Sequence, residues 1–238
     1  MPFSATSIAP PMSMAIDMTI DMPPYRLSGA VYGTLLNHHS ALKALGGTVA
    51  QPPYKGAPKA PVLYIKPRNT LAVDGDAVSI PPGVAELEVG ASLGVVIGRT
   101  ACHVAAEHAL DHVAGYVIVN DISVPHPDYY RPSVCYKARD GFCPLGTVVA
   151  RDAIQNPDAL TIRIYIDDAL VQTASTTDLL RPVAQLLTDV TEFMTLAPGD
   201  VLMVGVAAPA PRVRAGQRVT IEIDGVGALH NHFVGAMQ

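Results

Sequence analysis

Tryptophan is absent from this 238-residue chain and phenylalanine occurs only four times. Any core must then be filled by Val, Ile, Leu and Ala. Cysteine is scarce as well: Cys102, Cys135 and Cys143 are an odd number with no C-x-x-C spacing. That argues against a disulfide framework and against a cysteine-rich zinc site, and it fits a reducing, cytoplasmic setting. No apolar run reaches the roughly 18 residues that a membrane-spanning helix needs, so no membrane partner is expected. A basic block is missing too. Sixteen Lys and Arg against 21 Asp and Glu leave a net charge of −5, spread along the chain. Nucleic-acid binding would need a clustered positive stripe, so it is not expected.

Apolar residues make up 49% of the chain and charged residues 16%. A sizeable core is therefore available, and disorder of the whole chain is excluded. The length suits one large domain or two small ones. Residues 1–24 hold no Lys or Arg and four Met beyond the first. A secretory signal would want a positive start and a longer apolar stretch. They are expected to form a loosely ordered extension, with an arm packed on a partner subunit as the alternative. The domain proper is expected to span residues 25–238.

Periodicity and turn residues predict mostly strands. Strands are expected within 26–36, at 62–65, over 86–98, at 115–119, on both sides of Asp167-Asp168, at 201–206 and at 218–223. Asp74-Gly75 has the composition of a hairpin turn. On a continuous strand from Glu86 to Gly98, side chains alternate, so Glu86, Glu88, Gly90 and Ser92 share one face. Short helices are expected before Gly46-Gly47 and over 105–113. One long helix is predicted over about 178–196, from its helical spacing of Leu179, Val183, Leu186, Leu187, Val190 and Phe193 and its stop at Pro198-Gly199. The class is α+β, rich in strands, with no internal repeat.

Six stretches occur in a telling order. They are Lys66-Pro67-Arg68-Asn69-Thr70; Gly94 to Gly98; Ala114-Gly115-Tyr116 through Asn120-Asp121; and Tyr129 to Pro132 with Lys137-Ala138-Arg139-Asp140-Gly141 and Pro144-x-Gly146. Leu196-Ala197-Pro198-Gly199-Asp200 and Gly225-Val226-Gly227-x-Leu229 complete the set. Each is weak alone. Together, from about Gly29 to Phe233, they resemble the fumarylacetoacetate hydrolase family. Asn37-His38-His39, Pro52-Pro53-Tyr54-Lys55, Tyr130-Arg131-Pro132 and Arg139 to Pro144 narrow the likeness to its isomerase/decarboxylase branch in 4-hydroxyphenylacetate (homoprotocatechuate) breakdown. There, homologous modules occur fused or as separate chains.

The resemblance implies a mixed β-roll fold with one long helix. It also implies Mg²⁺ or Mn²⁺ held by two Glu in E-x-E spacing and one Asp, since hard cations favour oxygen ligands. The substrate implied is a small 2-oxo di- or tricarboxylate, 5-oxopent-3-ene-1,2,5-tricarboxylate. Its carbonyl would be polarised by the metal, and the electrons released on CO₂ loss would collect as an enolate. Carried over position by position, Asp121 is the Asp ligand, Lys137 the active-site lysine and Asp140 its loop partner. Lys66 is expected to face the same pocket. His38 and His39 follow Asn37 in a shortened loop, which makes His38 the candidate acid/base.

The acidic pair departs from the pattern. Ungapped alignment puts Gly90 and Ser92 at its two positions, while Glu86 and Glu88 have the spacing but lie four residues upstream, roughly 13 Å of strand. Either a slip brings Glu86 and Glu88 to the metal, or the site is broken and the cation absent. The family's G-T-P is Gly205-Val206-Ala207 here, so a threonine hydroxyl is missing as well. Three functions follow: a decarboxylase/isomerase subunit, a degenerate module that pairs with an intact homologous subunit, or a hydrolase of acylpyruvate-type C–C bonds. A homodimer or a hetero-assembly is implied. Outside the resemblance, His108 and His112 have the i,i+4 spacing of zinc ligands, without a third ligand nearby.

Overall fold

A computed structural model describes residues 29–52, 55–126 and 134–236. The expected extension at 1–24 lies outside the described residues, as do Pro53, Tyr54 and the motif residues Tyr129, Tyr130, Arg131 and Pro132.

From the N-terminal side the elements are β1 (Val31–Leu35), α1 (His39–Leu45), β2 (Val62–Lys66), β3 (Leu71–Val73) and β4 (Ala77–Ser79). Next come β5 (Leu87–Glu88), β6 (Ala91–Ile97), β7 (Val113–Asn120), α2 (Val134–Lys137), β8 (Cys143–Leu145) and β9 (Val149–Ala150). The last third holds β10 (Thr161–Ile166), β11 (Ala169–Ser175), α3 (Val183–Thr191), β12 (Val201–Met203), β13 (Arg212–Val213), β14 (Arg218–Ile223) and β15 (Gly227–Val234). The α+β, strand-rich class is as the sequence predicts.

One mixed sheet has the order β2-β1-β12-β6-β7-β8-β3, with β9 paired to β7. A second runs β11-β10-β14-β15-β4, and β13 pairs with β5 alone. The two larger sheets share a core of Leu93, Val95, Ile118, Ile164, Ile221 and Leu229, all essentially without exposure. Aliphatic side chains fill it, as the shortage of aromatics requires. Every residue of β6 is buried. Such a central strand is covered on both faces and reads as a continuous apolar run.

Three local expectations need correcting. The strand expected over 86–98 is two strands: β5 pairs with β13, while β6 pairs with β7 and β12. The chain breaks at Val89-Gly90, where main-chain bonds switch to Ser123 and Asp121 (Glu88 N to Ser123 O at 2.8 Å, Asp121 N to Gly90 O at 2.8 Å). Asp74-Gly75 is not a hairpin turn, because β3 belongs to the first sheet and β4 to the second. The helix expected over 178–196 covers only Val183–Thr191, preceded by a short 3₁₀ turn at Thr176–Asp178. Pro182 sets its start, since the residue before a proline is pushed out of helical geometry. Asp158 Oδ1 then accepts from Val183 N at 2.8 Å and caps the helix from a distant loop.

The L-x-P-G-D turn has a structural task. Asp200 accepts from Ala30 N (2.7 Å) and Ala197 N (2.8 Å), which docks the start of β1 beside β12. Asn37 braces the far end of β1. Its Nδ2 donates to Val204 O at 2.8 Å and its Oδ1 accepts from Arg181 N at 3.0 Å.

Candidate functional site

The ends of β1, β2 and β7 converge with α2 on a cavity of about 310 Å³. Its apolar wall comes from β1 and α1, through Leu36, Ala41 and Leu45, and faces the loop that carries Val206 and Pro209. The polar floor is Tyr64, Asp121, Ser123, His126 and Lys137, with Glu88 and Arg212 also lining the cavity.

Asp121 is the hub. It ends the Asn120-Asp121 stretch after β7 and is almost fully buried. Lys66 Nζ lies 2.7 Å from its Oδ1 and Lys137 Nζ 2.8 Å from its Oδ2. The Tyr64 hydroxyl also donates to Oδ2. Burial disfavours the carboxylate, but the two ammonium groups outweigh it and hold the Asp121 carboxyl well below the usual carboxylate range. The Lys137 ammonium lies 4.9 Å from the centre of the Tyr64 ring, within cation–π range. Burial, with the Asp121 charge beside it, keeps the Tyr64 phenol protonated well above its usual pKa.

Tyr64 reaches this position because β2 alternates: Tyr64 and Lys66, two apart, project toward the same carboxylate. Gly33 on β1 gives the ring its space. A Cβ there would sit 2.0 Å from Tyr64 Cζ. That i,i+2 relation to Lys66 is the sequence signal that could have exposed Tyr64; Ser123, two beyond Asp121, carries the same signal. Nothing local pointed to Arg212 or His126. The imidazole of His126 stacks on Tyr136 at 4.6 Å, and its Nδ1 faces Val124 O at 3.0 Å.

The remaining candidates divide. Lys137 lines the cavity as expected. Lys66 sits behind it, with no side-chain exposure, ion-paired with Asp121 and hydrogen-bonded to three main-chain oxygens. Asp140 is not in the cavity: its Oδ1 accepts from Asn69 Nδ2 at 2.7 Å on an exposed loop. His38 is likewise not a lining residue. It is the N-cap of α1, where its Nδ1 accepts from Ser40 N at 3.2 Å, and burial lowers its pKa. His108 and His112 do not converge: His108 faces Asp111 at 3.6 Å, and His112 Nδ1 faces Thr100 O at 2.8 Å.

The donor set does not fit the expected divalent cation. Glu86 pairs with Arg212 (2.8 Å) and Arg214 (3.5 Å), and Glu88 faces Arg212 at 3.8 Å. Glu86 precedes the short β5 and Glu88 ends it, off the line of β6, so the face they were expected to share with Ser92 does not exist. Gly90 offers no ligand, and a Cβ there would lie 2.7 Å from Asp121 O. Ser92 is buried with its Oγ accepting from Gly205 N at 3.3 Å. Mg²⁺ and Mn²⁺ need several converging oxygens, while both Asp121 oxygens are taken by ammonium groups. Among the described residues no group of three or more His, Cys, Asp or Glu could hold a metal. The expected set of Asp121, Glu86 and Glu88 is therefore not assembled.

Cys143 packs beneath the floor. Burial pushes its thiol up to about 12, against a smaller downward pull from Lys66. Cys102 and Cys135 are exposed. A thiol titration of the native protein is expected to label Cys102 and Cys135 promptly and Cys143 only after unfolding, since the thiolate is the reactive form. Prompt labelling of Cys143 would contradict a closed floor.

Comparison with known proteins places these features. Residues 30–234 match the family model described as fumarylacetoacetate (FAA) hydrolase, C-terminal. The chain is 39% identical over 208 residues to the 4-hydroxyphenylacetate degradation bifunctional isomerase/decarboxylase of Escherichia coli, covering 87% of this chain and 48% of that protein. It thus spans about half the length of that relative. The crystal structure of 5-carboxymethyl-2-hydroxymuconate delta-isomerase from Mycobacterium smegmatis superposes with a TM-score of 0.76 at 27% identity, covering 89% of this chain and 81% of that one. Maleylpyruvate hydrolase from Sphingobium sp. SYK-6, solved with manganese(II) and pyruvate, gives 0.71 at 28% identity, covering 87% and 71%. No helix among the described residues is long and apolar enough to cross a membrane. On the family match and the shared fold, this chain belongs to the fumarylacetoacetate hydrolase family.

Proposed function

We propose that this chain is one module of an isomerase/decarboxylase assembly for 5-oxopent-3-ene-1,2,5-tricarboxylate or a similar unsaturated 2-oxo acid. Within it, this module pairs with an intact homologous subunit and does not itself carry the metal-dependent step. The observation behind this reading is the state of Asp121: each carboxylate oxygen is ion-paired with a lysine ammonium group, and among the described residues no acidic pair joins it. Likeness to about half of a bifunctional isomerase/decarboxylase supports the choice of assembly. Hydrolysis is less well supported, because it needs a base to activate water and His38 is committed to capping α1.

The test is to assay decarboxylation and isomerisation by the purified chain alone, by an intact homologous subunit alone, and by the mixture. The chain alone is expected to be inactive, and light scattering of the mixture is expected to show a complex. Metal-dependent turnover by the chain alone would refute the proposal. Calorimetric titration of the chain with MgCl₂ or MnCl₂ is expected to give no saturable heat, and EDTA is expected to leave its melting temperature unchanged.

A further inference from the structure

Around Asp121, at the floor of the cavity and just behind it, the described residues hold more positive charge than negative. Lys66 Nζ is ringed by Asp121 Oδ1 at 2.7 Å and by the main-chain oxygens of Ile122 (2.9 Å), Phe142 (2.9 Å) and Lys137 (3.1 Å). A neutral amine would turn a lone pair toward one of those acceptors. Burial lowers the Lys66 pKa, but Asp121 opposes that, and a ring made only of acceptors calls for the ammonium form, with its three donors. Lys66 is thus a full charge match for Asp121, and it faces inward. Lys137 is a second ammonium on the same carboxylate, and among the described residues Asp121 is its only hydrogen-bond partner. It is also the one of the two lysines that lines the cavity. One carboxylate serves two ammonium groups, so one buried positive charge is left over.

Among the described residues, neighbouring side chains do not cancel it. Glu86 and Glu88 face Arg212 and Arg214, two anions against two cations. A buried charge without a partner is expensive. Here it is placed where a ligand can meet it, at the floor of a cavity whose volume suits a small molecule. Thr34, 3% exposed, also lines the cavity, and its Oγ1 has no hydrogen-bond partner among the described residues. The facing walls of Leu, Ala, Val and Pro suit an organic anion better than an inorganic one. A single surplus charge suits a monoanion.

We propose that this pocket binds a small organic monocarboxylate without any divalent cation, the Lys137 ammonium receiving the carboxylate while Lys66 neutralises Asp121 from behind. The inference concerns ligand binding by this chain alone and does not depend on its pairing with another subunit.

The experiment is calorimetric titration of the full chain with pyruvate in EDTA, repeated with MnCl₂, and with methyl pyruvate as the uncharged ester. Pyruvate is expected to bind in EDTA, unchanged by Mn²⁺, and the ester to bind about tenfold more weakly or worse, since a charge-assisted hydrogen bond is lost. Lys137→Met is expected to weaken pyruvate by about tenfold or more for the same reason. That variant keeps the balanced Lys66–Asp121 pair, so its circular dichroism and cooperative melting should persist. If it does not fold, the comparison of acid and ester on the unaltered chain still decides. Equal binding of the ester, or undiminished binding to folded Lys137→Met, would overturn the proposal. Absence of pyruvate binding under both conditions would overturn it and leave the assembly reading standing. Binding only with Mn²⁺ would overturn both.

Discussion

Replacing Lys66 with Met is expected to destabilise the protein by about 3–5 kcal/mol, the scale for breaking a buried pair from one side. The methionine fills similar volume, so the loss is not a cavity effect. What disappears is the donor of three buried hydrogen bonds, to the carbonyls of Ile122, Phe142 and Lys137, together with the ion-pair partner of Asp121 Oδ1. Those carbonyls lie in three segments, after β7, at the end of α2 and just before β8. Lys66 therefore ties β2 to the whole floor of the cavity. Urea unfolding of the variant beside the native chain measures the effect. A change below about 1 kcal/mol, the range of exposed ion pairs, would show that Lys66 is not the buried anchor described here. Lys137→Met should be milder, because it leaves one ammonium against one carboxylate.

Asp121→Asn is expected to have an effect of similar size, with a pH signature of its own. Its amide keeps the shape but removes the charge that both ammonium groups share, leaving them close together and uncompensated. Loss of about 3–5 kcal/mol at neutral pH is expected. In the native chain the Asp121 pKa is depressed by folding, burial being outweighed by Lys137 and Lys66. A depressed carboxyl stabilises the fold fully above its unfolded pKa of about 3.9, and that contribution is lost as pH falls toward the lower folded value. The stability gap between native and Asp121→Asn proteins should then be constant near neutrality and narrow below about pH 4. Denaturant titrations at several pH values check this. A gap that does not narrow in acid would mean that the carboxylate is not held ionised by the two lysines.

The two substitutions together sort an anchoring role from a ligand-binding one. Both act on stability through groups closed off from solvent, whereas Lys137 acts on the cavity. Asp121 and Lys137 face each other, and Lys66 sits against the other carboxylate oxygen. Buried ion pairs are weak evidence for net stability, because desolvation offsets much of the attraction. Their value here is positional. Main-chain carbonyls from three segments accept from one Nζ, and that fixes where Lys137 can stand.

Much of the scaffold could be read directly. Strands β2, β7, β10 and β14 stand close to where apolar runs and turn residues put them, because local side-chain alternation and turn chemistry act within a few residues. The ordered motifs carried the family, and with it Asp121 and Lys137 as neighbours. Other features were decided by contacts distant in sequence. Glu86 and Glu88 lost their expected role because β5 leaves the line of β6 to pair with β13, whose Arg212 lies 126 residues beyond Glu86. Asp74-Gly75 looks like a hairpin turn, yet β4 pairs in parallel with β15, and no local signal carries that choice. Pro182 was visible in the sequence and should have shortened the long helix. Lys66 could be read as a pocket residue by likeness, but only the tertiary structure turned it inward, 56 residues from Ile122 and 76 from Phe142 along the chain. By itself the sequence determined the family, the strand-rich class and two of the floor residues, Asp121 and Lys137. Which charges face each other was left to long-range register, because a side chain's alternation states which way it points and not what will be there to meet it.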